Sequence, residues 1–133
     1  MAIYALLAAH FVLDALILLF ARNLYITLRL VWQIAPQRAV YIDGGLFIGA
    51  VLAVFIHLVA SERTYVDKDF ARPILTAAGR AGAIQLLIIA VLQGGMIAAV
   101  PPLISAVWPV VIAAGSLAGG LGLIVLSSRF KRL

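Results

Sequence analysis

The chain has 133 residues, 65% of them hydrophobic and only 11% charged, with a formal charge of +5 and a mean hydropathy of +1.18. A water-soluble domain of this length cannot hide so much apolar side chain, because too large a share of it lies at the surface. The lack of cysteine excludes disulfides, thiolate metal sites, iron–sulfur clusters and cysteine catalysis. The basic residues flank apolar runs and form no solvated face of the kind nucleic acid requires, so no nucleic-acid partner is expected.

Four apolar stretches reach the roughly 20 residues that a spanning helix needs. The expected fold is therefore all-α: an integral-membrane four-helix transmembrane bundle, up-down-up-down, with both termini on the same side. Residues 1–133 read as a single domain, with helices near 2–34, 39–60, 74–100 and 103–128 and a hydrophilic loop at 61–73.

The first helix, 2–34, lacks Gly and Pro and is followed by Pro36. Stepping about 100° per residue from His10 brings Asp14, Tyr25, Arg29, Arg22 and Gln33 onto one side, within about 140°. That side should face other helices and leave the remainder to lipid. The connection at 35–38 is short, so the second helix should return antiparallel beside the first. Tyr41, Gly45, Gly49, Ala53 and His57 follow one another at four-residue spacing along it. Small residues so placed let a neighbouring backbone approach closely, and His57 at the end of the stripe should face protein.

The segment 61–73 holds Glu62, Arg63, Asp67, Lys68, Asp69 and Arg72 and reads as solvent-exposed. Pro73 suits the first turn of the third helix, where Gln85 and Gln93 read as hydrogen-bonding partners between helices. Pro101-Pro102 breaks the chain. Pro109, inside the expected fourth helix, should free the carbonyl of Ser105 and bend it. Gly115, Gly119, Gly120 and Gly122, with Ala114 and Ala118, form a second small-residue packing surface there.

The end with the termini gathers Arg63, Lys68, Arg72, Arg80, Arg129, Lys131 and Arg132, against Arg22, Arg29 and Arg38 at the other. The excess places both termini in the cytoplasm. Trp32, Tyr41 and Trp108 then line the opposite interface as an aromatic belt.

A hairpin centred near Pro36 sets which residues of the first two helices lie level. Asp43 comes beside Arg29, His57 comes within about 3 Å axially of Asp14, and Glu62 stands next to His10. Because His10 and Asp14 are neighbours one turn apart, a polar string His57–Asp14–His10–Glu62 is expected, besides a hairpin ion pair Arg29–Asp43. Ionisable groups inside a bilayer cost several kcal/mol unless paired. Such a pair can simply fix helix register. It can also carry protons or bind a cation, since a histidine beside a carboxylate titrates near neutrality. His10 and His57 would alternatively be axial ligands of a b-type haem, and the two histidines with Asp14 and Glu62 would suit zinc or copper.

No nucleotide-binding loop, nucleophile elbow, zinc-protease motif or dinucleotide fingerprint is present, so a non-enzymatic role is expected. The leading expectation is a non-catalytic subunit or scaffold of a larger membrane complex, partnered by other membrane subunits or by copies of itself. Proton or cation transport by an oligomer and haem-b electron transfer are the alternatives.

Overall fold

The computed structural model describes residues 2–66, 72–99 and 107–132. All are helical except a tight connection between the first two helices. The elements are α1 (Ala2–Val31), α2 (Pro36–Val66), α3 (Arg72–Ala99) and α4 (Val107–Arg132). Each contains a window whose mean hydropathy lies between 1.9 and 2.3 and is long and apolar enough to cross a membrane. The outward faces are dense with Leu, Ile, Val and Phe, as a bilayer solvent demands. The protein is a small polytopic membrane protein.

The helices alternate in direction. His10 meets Gln85 and Leu24 meets Gly95, so α1 and α3 run parallel. Gly79 faces Ser127 while Gly120 faces Leu87, so α3 and α4 are antiparallel. The tightest packing is α3 on α4, followed by α1 on α3 and α1 on α2. Across the molecule the order is therefore α2, α1, α3, α4, a bundle spread into a row with α3 and α1 inside. The last turns of α2 also reach α3, where Tyr65 is buried against Ile74 and Ala78, under Ile3, Leu6 and Leu7 of α1.

Helix α1 stops at Val31, three residues before the expected end. Gln33 takes a left-handed backbone (φ 50°), Ile34 N–H donates to the Arg29 carbonyl, and Gln33 N–H to that of Leu30. This pair of bonds is the Schellman closure, which satisfies carbonyls left over at a helix end. Pro36 then opens α2 three residues earlier than expected, because the first helical position needs no N–H. Helix α3 begins at Arg72 and α4 extends to Arg132. The expected bend at Ser105, the start of α4 at 103, the break at Pro101-Pro102, and Asp67, Lys68 and Asp69 lie outside the described residues.

Helix α2 departs from the expected pattern in two places. The hydrophilic loop does not start at 61: Ser61–Val66 is helix. Ser61 and Tyr65 continue the face of His57 at four-residue steps and are both buried, so the polar letters around them conceal one more packed turn. The stripe Gly45, Gly49, Ala53, in turn, does not pack. A methyl group on Gly45 or Gly49 would meet no described atom within 4 Å, and all three residues are exposed. The reason is helical phase. Each four-residue step overshoots a full turn by about 40°, so Gly45 points about 120° away from His57, whereas Asp43, fourteen residues before His57, returns to within about 40° of it.

On α4 the packing glycines are Gly119, against Leu86, and Gly120, against Leu87 and the Ala83 carbonyl, while a methyl on Gly115 or Gly122 would meet no described atom beyond its own helical turn within 4 Å. Gly79 and Gly82 complete this seam from α3, against Ser127 and Leu123. Trp32, Tyr41 and Trp108 are exposed at the end of the row opposite the termini.

Candidate functional site

Near the middle of α1, His10 and Asp14 sit one turn apart on the face turned to α2 and α3. Both are buried, 4% and 8% exposed, as is Gln85 of α3 at 4%. The side-chain amide of Gln85 fills the gap between them. Its nitrogen donates to Asp14 Oδ1 at 2.6 Å and to the His10 carbonyl at 3.1 Å. Its oxygen accepts from His10 Nδ1 at 2.6 Å. Two acceptors on one side and a ring N–H on the other fix which way the amide points.

The outer members come from α2. With Nδ1–H committed to Gln85, His10 Nε2 accepts from the Tyr65 hydroxyl at 2.8 Å, and the Tyr65 ring lies nearly parallel to the imidazole. His57 Nδ1 bonds Asp14 Oδ2 at 2.7 Å. A single polar knot thus runs Tyr65–His10–Gln85–Asp14–His57 and ties three helices together. Each buried member finds a partner, as low dielectric requires.

The expected Asp14–His57 and Arg29–Asp43 contacts are present. Arg29 Nη1 lies 3.2 Å from Asp43 Oδ2, with both side chains partly exposed, and the Tyr25 hydroxyl lies beside this pair. The string through Glu62 is overturned. Glu62 is exposed on α2, and His10 turns to Tyr65, three residues further on and on the inner face. His10 and Asp14 are joined through Gln85. That matters chemically, because an amide has no exchangeable lone-pair site on nitrogen and relays a proton poorly. The knot holds helices together but is not a continuous proton wire.

The haem reading does not fit this arrangement. Both His10 nitrogens are committed to buried partners. The two imidazoles also meet edge to face with centroids 5.8 Å apart, which leaves no slot for a macrocycle between two axial nitrogens. Among the described residues no three His, Cys, Asp or Glu side chains gather as a metal site, and Glu62 lies away from the knot.

His57 differs from its partners in being one-third exposed (33%). It borders a groove of about 400 Å³ between α1, α2 and α3, whose other walls include Leu18, Val54, Ala53, Ile84 and Ile88. The groove is apolar apart from the end formed by Asp14, His57 and Gln85. Compared with known protein families, curated proteins and solved structures, the chain matches none.

Proposed function

We propose that the protein is a non-catalytic membrane subunit, a scaffold whose polar knot fixes three helices while α2 offers its outer face to another membrane chain. One observation carries this reading: Gly45 and Gly49 stand exposed with no described atom beyond their own helical turn within 4 Å of an added methyl, in a helix that is exposed from Val40 to Gly49. Glycine inside a helix costs about 1 kcal/mol relative to alanine, a cost recovered when a second backbone comes close. The occupant is another subunit or a second copy. Blue-native electrophoresis of extracts from native membranes tests this. An assembly well above the chain's own 14.1 kDa, dispersed by Gly45→Leu with Gly49→Leu, is expected. A lone monomer in mild detergent overturns it.

The Asp14–His57 contact favours a second reading, proton or cation movement by an oligomer. The route would follow the groove, since Gln85 interrupts the knot. Asp14→Asn should then abolish flux into reconstituted vesicles, and unchanged flux removes the idea. In either reading we place both termini in the cytoplasm, supported by Arg63, Arg80 and Arg129 at that end. Because the chain has no cysteine, Ser128→Cys gives a single thiol. It should resist membrane-impermeant reagents in intact cells, and labelling from outside would reverse the orientation.

A further inference from the structure

Within the knot, every side-chain nitrogen and oxygen but one has a hydrogen-bond partner. His10 engages both ring nitrogens, Gln85 both ends of its amide and Asp14 both oxygens. His57 engages only Nδ1, and its Nε2 has no partner among the described residues. The atom's chemistry follows from electroneutrality. A net charge buried at this depth is costly, and the neutral pair is either carboxylate with imidazolium or carboxylic acid with imidazole. In both, one hydrogen lies in the Asp14–His57 bond and the other sits on His57 Nε2. The groove therefore has an N–H donor at its polar end and aliphatic walls elsewhere.

A bare N–H facing hydrocarbon is an unmet hydrogen bond. Water is a poor occupant, since it needs two to four polar partners and the apolar walls supply none beyond that end. A cation would meet the hydrogen of Nε2 head on. A phospholipid carries its ester carbonyls at the boundary of the hydrocarbon, whereas His57, with α2 centred on that core, stands about 5 Å deeper. It stands nine residues before the end of the 31-residue α2, about 13 Å along an axis that exceeds the ~30 Å hydrocarbon core by about 8 Å at each end. The occupant that remains is a molecule dissolved in the membrane that brings its own acceptor. Its size is bounded by the groove's 400 Å³, within the range of small-ligand sites.

We propose that the groove binds a lipid-soluble ligand with a ketone-type carbonyl head, which accepts a hydrogen bond from His57 Nε2 while its apolar body lies along Leu18, Ala53 and Ile84. This goes beyond the subunit reading, because binding is a property of the chain alone and needs no partner.

The test uses the full chain, with ¹⁵N-labelled histidine, in phosphatidylcholine nanodiscs titrated with decanophenone. A saturable shift of the His57 Nε2 resonance is expected, with none from decylbenzene, which has the same body and no acceptor. His57→Phe should weaken binding about 10- to 100-fold, the loss of one hydrogen bond to a charged or polarised donor. Ala53→Leu narrows the groove at an exposed position without touching the pair, and should remove saturation while leaving the unliganded His57 signal in place. Equal response to decylbenzene, or unchanged affinity in both variants, overturns the site. Equal affinity for methyl decanoate overturns the ketone assignment and points to bilayer lipid esters instead.

Discussion

Gln85 of α3 reaches Asp14 of α1 with a 2.6 Å hydrogen bond and, by the same amide, orients His10. One residue thus decides the geometry of both buried ionisable groups on the first helix.

Replacing Gln85 by Leu should therefore cost more than any single contact. Hydrogen bonds between helices in a membrane average about 0.6 kcal/mol and reach about 1.7, so the loss of three, with two acceptors and a ring N–H left unmet, should total about 2–4 kcal/mol. Thermal or denaturant unfolding in detergent measures it. A change below about 0.5 kcal/mol would show that the knot relaxes onto water.

Asp14→Asn and Asp14→Leu should differ sharply. Asparagine can accept from Gln85 and donate to His57 Nδ1, mimicking the neutral carboxylic acid, so a loss of at most about 1 kcal/mol is expected. Leucine leaves both neighbours unmatched and should cost about 3 kcal/mol. Equal losses in the same unfolding assay would mean that the carboxylate charge, and not the hydrogen-bond pattern, stabilises the knot.

Gly120→Ala and Gly45→Ala make a matched pair. A methyl on Gly120 would come within 3.2 Å of Leu87 and 3.3 Å of the Ala83 carbonyl, and backbone gives way less readily than a side chain. We expect destabilisation of about 1–3 kcal/mol. Gly45→Ala in the isolated chain should be neutral or stabilising by up to about 1 kcal/mol, as helix unfolding followed by circular dichroism would report.

Gln33 holds a left-handed backbone (φ 50°) that side chains disfavour by roughly 1–2 kcal/mol. Gln33→Gly should raise stability by up to about 1 kcal/mol, offset in part by the freer unfolded chain, and Gln33→Val should lower it. Opposite signs in one unfolding series check the turn assignment.

The Arg29–Asp43 pair lies partly exposed near the hairpin turn. A double-mutant cycle with Arg29→Gln and Asp43→Asn should give a coupling below about 1 kcal/mol that weakens with added salt. Larger coupling would indicate that Tyr25 shields the pair from solvent.

Four spans, their alternation and two contacts between α1 and α2 were legible because apolar length sets the spans and a short link sets the register. Asp14 with His57 and Arg29 with Asp43 both follow from where the chain turns. That Gln85 bonds between helices was legible, but its partners were not, since reading 61–73 as loop left open how α3 is rotated against α1. Tyr65 had a readable signal in the steps from His57 through Ser61. The surrounding Glu62, Arg63 and Thr64 masked it by pulling the segment towards loop. The misread glycines share a different cause: four-residue spacing drifts around a helix, so neighbours in the pattern do not stay neighbours in space.

The placement of Gln85 on the third span has a consequence for biogenesis. Synthesis delivers α1 and α2 to the bilayer before α3 exists, so the nascent hairpin must reside in lipid with His10 and Asp14 only half matched. Chains terminated after Val66 should accordingly be shorter-lived in the membrane than chains that include the third span, because only α3 brings the Gln85 amide to His10 and Asp14.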